Sequence, residues 1–190
     1  MIGLFDIEAV NKAASSFNTE KLLWLNQHYI KSSDPARIAH LISAHMGDLG
    51  IDPADGPELV DVVRAQQERA QTLVEMAEIS AFFYRDFTGY DEAAAKKNLR
   101  PVAFEPLTLM RKVLAELDVW TPENLHQAVV NVAESLDLKL GKVAQPLRVA
   151  VVGRAASPGI DVTLHLVGRD ACLRRIDRAL DYIGERMEDN

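Results

Sequence analysis

An all-α chain is what this sequence predicts, and three observations predict it. Apolar residues recur at the 3.6-residue spacing of a helix face in one segment after another. Side chains that cap helix N-termini open these segments, several of them followed directly by proline. Alternating apolar and polar runs, the mark of a half-buried strand, do not recur.

Taken in order, Asn18-Thr19-Glu20 caps a helix through KLLWLNQHYI, with Leu22, Leu25, Tyr29 and Ile30 on one face. Asp34-Pro35 gives an N-cap and a proline at the first helical position, opening PARIAHLISAHM. Asp52-Pro53 and Gly56-Pro57 bracket a turn. Beyond it Leu59, Val62, Val63, Ala70, Leu73, Val74 and Ala77 keep helical spacing, which predicts one long helix. Asp91 caps DEAAAKKNL, and the Arg100-Pro101 step ends it. Another helix follows Pro106. Thr121-Pro122-Glu123 starts the next, with Leu125, Val129, Val132 and Leu136 inward. Leu147 to Val152 (LRVAVV) is valine-rich and open to a strand reading, but a lone strand has no partner for its backbone, so it is read as helix. The last helix begins near Gly168, with Cys172, Ile176, Ala179, Leu180 and Ile183 on its buried side. The expectation is seven or eight helices. No internal repeat or low-complexity stretch interrupts them.

At 190 residues, 48% hydrophobic and 26% charged, the chain has the composition of a globular protein with one sizeable core or two small ones. No stretch approaches the roughly 20 apolar residues of a membrane span, so no membrane partner is expected. The start, MIGLFDIEAV, has no basic region of the kind that opens a signal peptide. Cys172 is the single cysteine, which excludes an internal disulfide and fits a reducing, cytoplasmic setting.

The net charge of −7 is unevenly laid out. Residues 1–138 hold 12 Lys and Arg against 21 Asp and Glu, whereas residues 139–178 hold 8 against 3. A phosphate backbone responds to a local patch more than to the total, because charges farther apart than about 8–10 Å are screened at cellular salt. The basic block is therefore a candidate contact surface, although on charge alone a solvated helix face is the better account of such a block.

The chemistry of an active site is missing. Gly153-Arg154-Ala155-Ala156-Ser157-Pro158-Gly159 lacks the lysine and the spacing of a phosphate-binding loop, and neither GxSxG nor HExxH occurs. His40 and His45 stand five apart, on different helix faces, so no metal site is expected. Asp52 and Asp55 lie in a turn where capping explains them.

Three stretches, in order along the chain, carry a family resemblance. They are FDIEAVNKAASSFNTEKLLWLNQHYI at residues 5–30; AQTLVEMAEISAFFYRDF at 70–87 with AAKKNLRP at 94–101; and LGKVAQPLRVAVVG at 140–153 with SPGIDVTLHLVGRDACLRRIDRAL at 157–180. Together they resemble the C-terminal half of bacterial glutamyl-tRNA synthetases, from about residue 4 onward. The family's nucleotide-binding domain has no counterpart in these residues, so a catalytic-domain-free part of a longer enzyme is the expected reading.

The resemblance implies an all-α fold of two packed helical bundles, an anticodon-binding cage, preceded by the end of a stem-contact fold. It divides the chain into residues 1–33 (end of the stem-contact fold), 34–84 (first helical subdomain) and 85–190 (second). It implies recognition of the glutamate tRNA anticodon, no DNA partner and a monomeric parent enzyme. That parent is a class I ligase charging tRNA with glutamate, and ATP and magnesium would serve only its catalytic domain, so the chain itself would have no catalytic residue and no cofactor. Arg69, three residues before TLVEM, would read the third anticodon base and separate C from G. Arg148 of PLRVA, with Ser157, Pro158 and Ile160 of the SPGI turn, would hold the first two bases. A further arginine that some members carry eighteen positions before the PLR arginine is replaced here by Val130.

The side-chain chemistry agrees with that transfer. An unpaired anticodon base exposes its Watson–Crick edge. Arginine has only donors, so it favours the acceptor edge of cytosine over the N1–H edge of guanine. Pro158 offers a flat apolar surface to a base. Arg174, Arg175 and Arg178 on the last helix, and Lys12 and Lys21 near the start, are possible phosphate contacts. Plainer roles stand beside these: Arg69 pairing with Asp61 or Glu75, Arg148 in a structural ion pair, the SPGI stretch as a simple turn, and Arg174 and Arg178 pairing with Asp170 and Asp181. The rival to an RNA-reading part is a freestanding helical adaptor that binds a protein partner.

Overall fold

The computed structural model describes residues 18–188, and among them it contains ten α-helices, three short 3-10 turns and no strand. The helices are α1 (Thr19–Ser32), α2 (Pro35–Asp48), α3 (Leu59–Gln66), α4 (Leu73–Ser80), α5 (Glu92–Asn98), α6 (Phe104–Glu116), α7 (Pro122–Ser135), α8 (Leu140–Val152), α9 (Ile160–Val167) and α10 (Arg169–Glu188).

Most helix starts follow the capping chemistry of the sequence. The side chains of Asn18, Asp34, Asp91 and Thr121 accept hydrogen bonds from the backbone amides of Lys21, Ala36, Ala94 and Asn124 respectively. The valine-rich stretch is helix, part of α8, despite Pro146 within it. Two differences raise the helix count to ten. Residues 160–167 form a helix of their own, and the predicted long helix over 59–77 is two, α3 and α4. The break has a local cause: the Thr72 hydroxyl caps the Glu75 amide at 3.0 Å, while the Glu75 carboxylate accepts from the Gln71 amide at 2.7 Å. This is close to the reciprocal Thr-x-x-Glu cap, which stops a helix from running through.

Helices α2, α3 and α4 surround a small core of Ile38, Ala39, Ile42, Val63, Ala70 and Met76, which Ile30 of α1 joins. On α1 itself the outcome differs from the sequence reading: Ile30 is buried, but Leu22, Leu25 and Tyr29 are exposed. Of that face, only its C-terminal end reaches the core. Helices α5 to α10 enclose the larger core, built on Leu107, Met110, Leu125, Leu147, Leu164 and Ile176. Val62 enters this larger core while its neighbour Val63 enters the smaller one, so α3 serves both. Phe82 and Phe83, just after α4, also join the larger core, on the near side of the expected division at 84/85.

The connection over 85–91 is fastened from both sides. Arg175 of α10 is 4% exposed and donates to the Asp86 carboxylate at 2.8 Å and to the carbonyls of Val151 and Arg85 at 2.9 and 3.1 Å. That bond holds the Asp86 carboxyl below the usual carboxylate range, although burial pushes the other way. Gly153 ends α8 at φ +80°, and a Cβ there would lie 2.8 Å from the Phe87 ring, so both the conformation and the contact require glycine. Its carbonyl accepts from the Asp91 amide at 2.8 Å, tying the start of α5 to the end of α8. Cys172 is fully buried in the larger core, and burial pushes its thiol up to about 12. No helix among the described residues is long and apolar enough to cross a membrane.

Candidate nucleic-acid interface

Arg69 sits in the break between α3 and α4, not on a helix face. Gln66 is buried and its amide donates to the Ile79 carbonyl at 3.1 Å, while Gln67 donates to the Lys31 carbonyl at 2.9 Å. The Arg69 amide closes onto Gln66 at 2.8 Å, and Ala70 is buried. With its neighbours pinned on both sides, Arg69 points out of the fold as an exposed side chain. The two acids that a plainer reading would assign to it are engaged elsewhere: Asp61 pairs with Arg64 at 2.5 Å, and Glu75 accepts from the Gln71 amide.

Arg148 stands on α8, half-buried, and holds the turn that leads into α9. Its Nη1 donates to the Ser157 carbonyl at 3.1 Å, to the Pro158 carbonyl at 2.5 Å and to the Ser157 hydroxyl. The Ser157 hydroxyl also bonds the Thr163 hydroxyl at 3.0 Å, and Thr163 donates back to the Pro158 carbonyl at 3.3 Å. Nε and Nη2 of Arg148 have no partner among the described residues and are not sealed from solvent. Arg148 is therefore not in an ion pair. One nitrogen fixes the turn and two remain for something outside.

The two arginines belong to one face. A groove of about 520 Å³ runs between the end of α3 and the start of α9, lined by Arg64, Glu68, Arg69, Pro158, Gly159 and Val162, with Pro35 at one edge. Arg148 lies behind the same turn, close enough that the Arg69 charge, after burial, lowers its pKa, with Asp161 acting in the opposite sense. Two like charges held together, with only a partial acidic counterweight, create a field that a polyanion relieves.

The remaining predicted residues divide. Ser157 and Ile160 are buried at 8% each and act in the turn's construction, and Pro158 is buried but contributes to the groove wall. Arg174 is exposed and 3.7 Å from Asp86, the partner it takes in place of Asp170. Arg175 and Arg178 are corrections. The Arg175 guanidinium is consumed by interior acceptors. Arg178 packs 4.0 Å over the Phe87 ring and donates to the Phe87 carbonyl at 2.9 Å, with Nε and Nη2 shut off from solvent. Neither guanidinium can meet a phosphate, because both are folded inward to hold the 85–91 connection. Lys21 is exposed at the start of α1. Lys12 lies outside the described residues. Arg64 and Val162 carry no signal in the sequence, since they become neighbours only when α3 meets α9.

Comparison with known proteins gives a consistent picture. Residues 25–180 match the family described as anticodon binding domain. The chain is 56% identical over 183 residues to glutamate–tRNA ligase 1 of Alkalilimnicola ehrlichii, covering 96% of this chain and 39% of that protein. It is 56% identical over 186 residues to glutamate–tRNA ligase 1 of Nitrosococcus oceani, covering 98% and 40%. The chain thus spans about two fifths of the length of these curated relatives. Among solved structures, a glutamate tRNA ligase from Elizabethkingia meningosepticum superposes at a TM-score of 0.83 over 94% of this chain and 35% of that one, at 24% identity. The glutamate-tRNA synthetase of Elizabethkingia anophelis superposes at 0.79 over 93% and 34%, also at 24%. These two likenesses concern the fold.

Proposed function

Because the chain belongs to the anticodon-binding domain family, we propose that it reads the anticodon loop of a glutamate tRNA as the C-terminal part of a glutamate–tRNA ligase. One observation carries the reading: Arg69 and Arg148 share a face, and each keeps guanidinium donors that no group among the described residues satisfies. Opened loop bases present acceptor edges at that range of sizes and shapes, and their phosphates answer the local positive field. Duplex DNA offers no splayed bases and is not the partner.

In this reading Arg69 favours C over G at the third anticodon base, since guanine would set its N1–H donor against the arginine's donors. An unpaired buried donor costs about 1–3 kcal/mol, or roughly 10- to 100-fold in affinity. Arg148 with the Pro158 wall takes the preceding bases. Activation of glutamate with ATP and magnesium, and transfer to the tRNA, belong to a catalytic region outside these 190 residues, in a parent enzyme that acts in the cytoplasm as a monomer.

The test is titration of the chain with a glutamate tRNA anticodon stem-loop and with a version carrying G at the third position. Salt-sensitive binding that favours the C version by roughly tenfold or more is expected. Equal binding of both versions removes the role assigned to Arg69. Absence of RNA binding, with a clear protein partner, replaces the RNA reading by that of an adaptor.

A further inference from the structure

Two stretches that the RNA-reading face leaves unused, AAKKNLRP at 94–101 and LGK at 140–142, meet on the surface. Where the end of α5 packs beside the start of α8 they form a groove of about 620 Å³. Its floor is apolar, with Val102, Ala103, Leu138 and Pro146. Its rim carries Lys97, Arg100, Lys139 and Lys142, and no Asp or Glu lines it. Val102 is 70% exposed, and Leu140 beside the rim is 42% exposed. None of the four cationic side chains has a hydrogen bond or ion pair among the described residues.

We propose that this groove docks an acidic, amphipathic segment of a partner protein, apolar side chains on the floor and carboxylates to the four cations. The charge pattern selects the sign of the occupant, since rim charges of one sign repel wrong partners and steer right ones. The floor selects its kind. A phosphate backbone has no use for an apolar surface, whereas leucines at helical spacing on a docked segment bury directly against Val102 and Leu138. The inference is independent of the RNA reading, because Arg69, Arg148 and the SPGI turn lie outside this groove.

The experiment measures fluorescence anisotropy of the 190-residue chain with labelled helical peptides of about 12 residues carrying leucines at i, i+3 and i+7 with glutamates between them. A matched set has glutamine in place of glutamate, and a second has alanine in place of leucine. Saturable binding by the acidic set is expected, with both control sets at least about tenfold weaker. K139E/K142E should raise the Kd at least about tenfold, and V102D should do the same. All three positions are exposed, and circular dichroism of each variant checks for an unchanged helical signal. No saturable binding across the acidic set overturns the proposal, as does equal binding by the glutamine set. K139E/K142E weakening the anticodon stem-loop as strongly as the peptides also overturns it, by assigning the groove to RNA; loss of stem-loop binding in Arg69 or Arg148 variants alone leaves it standing.

Discussion

Arg148 is a residue with two duties, and its geometry keeps them separable. One terminal nitrogen clamps the turn through Ser157 and Pro158, while Nε and Nη2 face outward. A lysine at this position has a single nitrogen, which can satisfy the turn's carbonyls or a base but not present a planar fork to both. R148K is therefore expected to keep the fold, with a thermal midpoint near that of the parent, while stem-loop affinity falls roughly 10-fold or more. Anisotropy and thermal denaturation of the one variant separate the duties; a large fall in midpoint with intact binding would reverse the assignment. The sequence exposed Arg148 and Arg69 as candidates, because a motif places each. It could not show that Ser157 works for the turn, because a hydroxyl beside Pro158 has the same signature whether it faces a base or Thr163. Nor could it separate Arg174 from Arg175 and Arg178, since adjacent positions on an amphipathic helix differ in burial only through what packs on them.

Among the elements, α10 shows how charge within a helix builds structure. Arg175 joins α10, the end of α8 and the 85–91 connection through one guanidinium, and Asp86 is its only anionic partner among the described residues. R175A should leave the carbonyls of Val151 and Arg85 without their donor and lower stability by about 1–3 kcal/mol in urea unfolding. The Asp86 pKa is depressed in the folded state, so its contribution is present above the unfolded carboxylate value near ~4 and fades as pH falls through the folded value. D86N should flatten that acid-side decline, and a pH series of unfolding midpoints for parent and variant reads it. Elements were the most legible part of the sequence. The caps at Asn18, Asp34, Asp91 and Thr121 are written in single residues, and the periodicity of α7 and α10 marks their buried faces. The long helix over 59–77 failed where a cap was also written: Thr72 to Glu75 is a start signal inside a periodic run, and continuous periodicity masked it. That miss matters, because the break is what turns Arg69 outward.

At the scale of the molecule, the two helical groups are coupled through α3, whose adjacent valines enter different cores, and through Phe82 and Phe83. The division expected at 84/85 falls just after the short turn Ala81–Phe83 that follows α4. Cys172 lies at the centre of the larger core, with a thiol pushed up to about 12 and its Sγ 3.6 Å from the Leu164 carbonyl. Thiolate, the form that attacks a disulfide reagent or iodoacetamide, is thus nearly absent in the folded chain near neutral pH. Modification of this lone thiol must wait for α10 to leave its neighbours, so its labelling rate becomes a clock for that opening. In R175A the clock should run faster by the factor the lost stability sets, tenfold for each ~1.4 kcal/mol, and labelling of the parent at the speed of a free thiol would show that the core opens far more readily than its packing suggests. A single atom of sulfur thereby supplies a built-in gauge of breathing, with no dye or tag added.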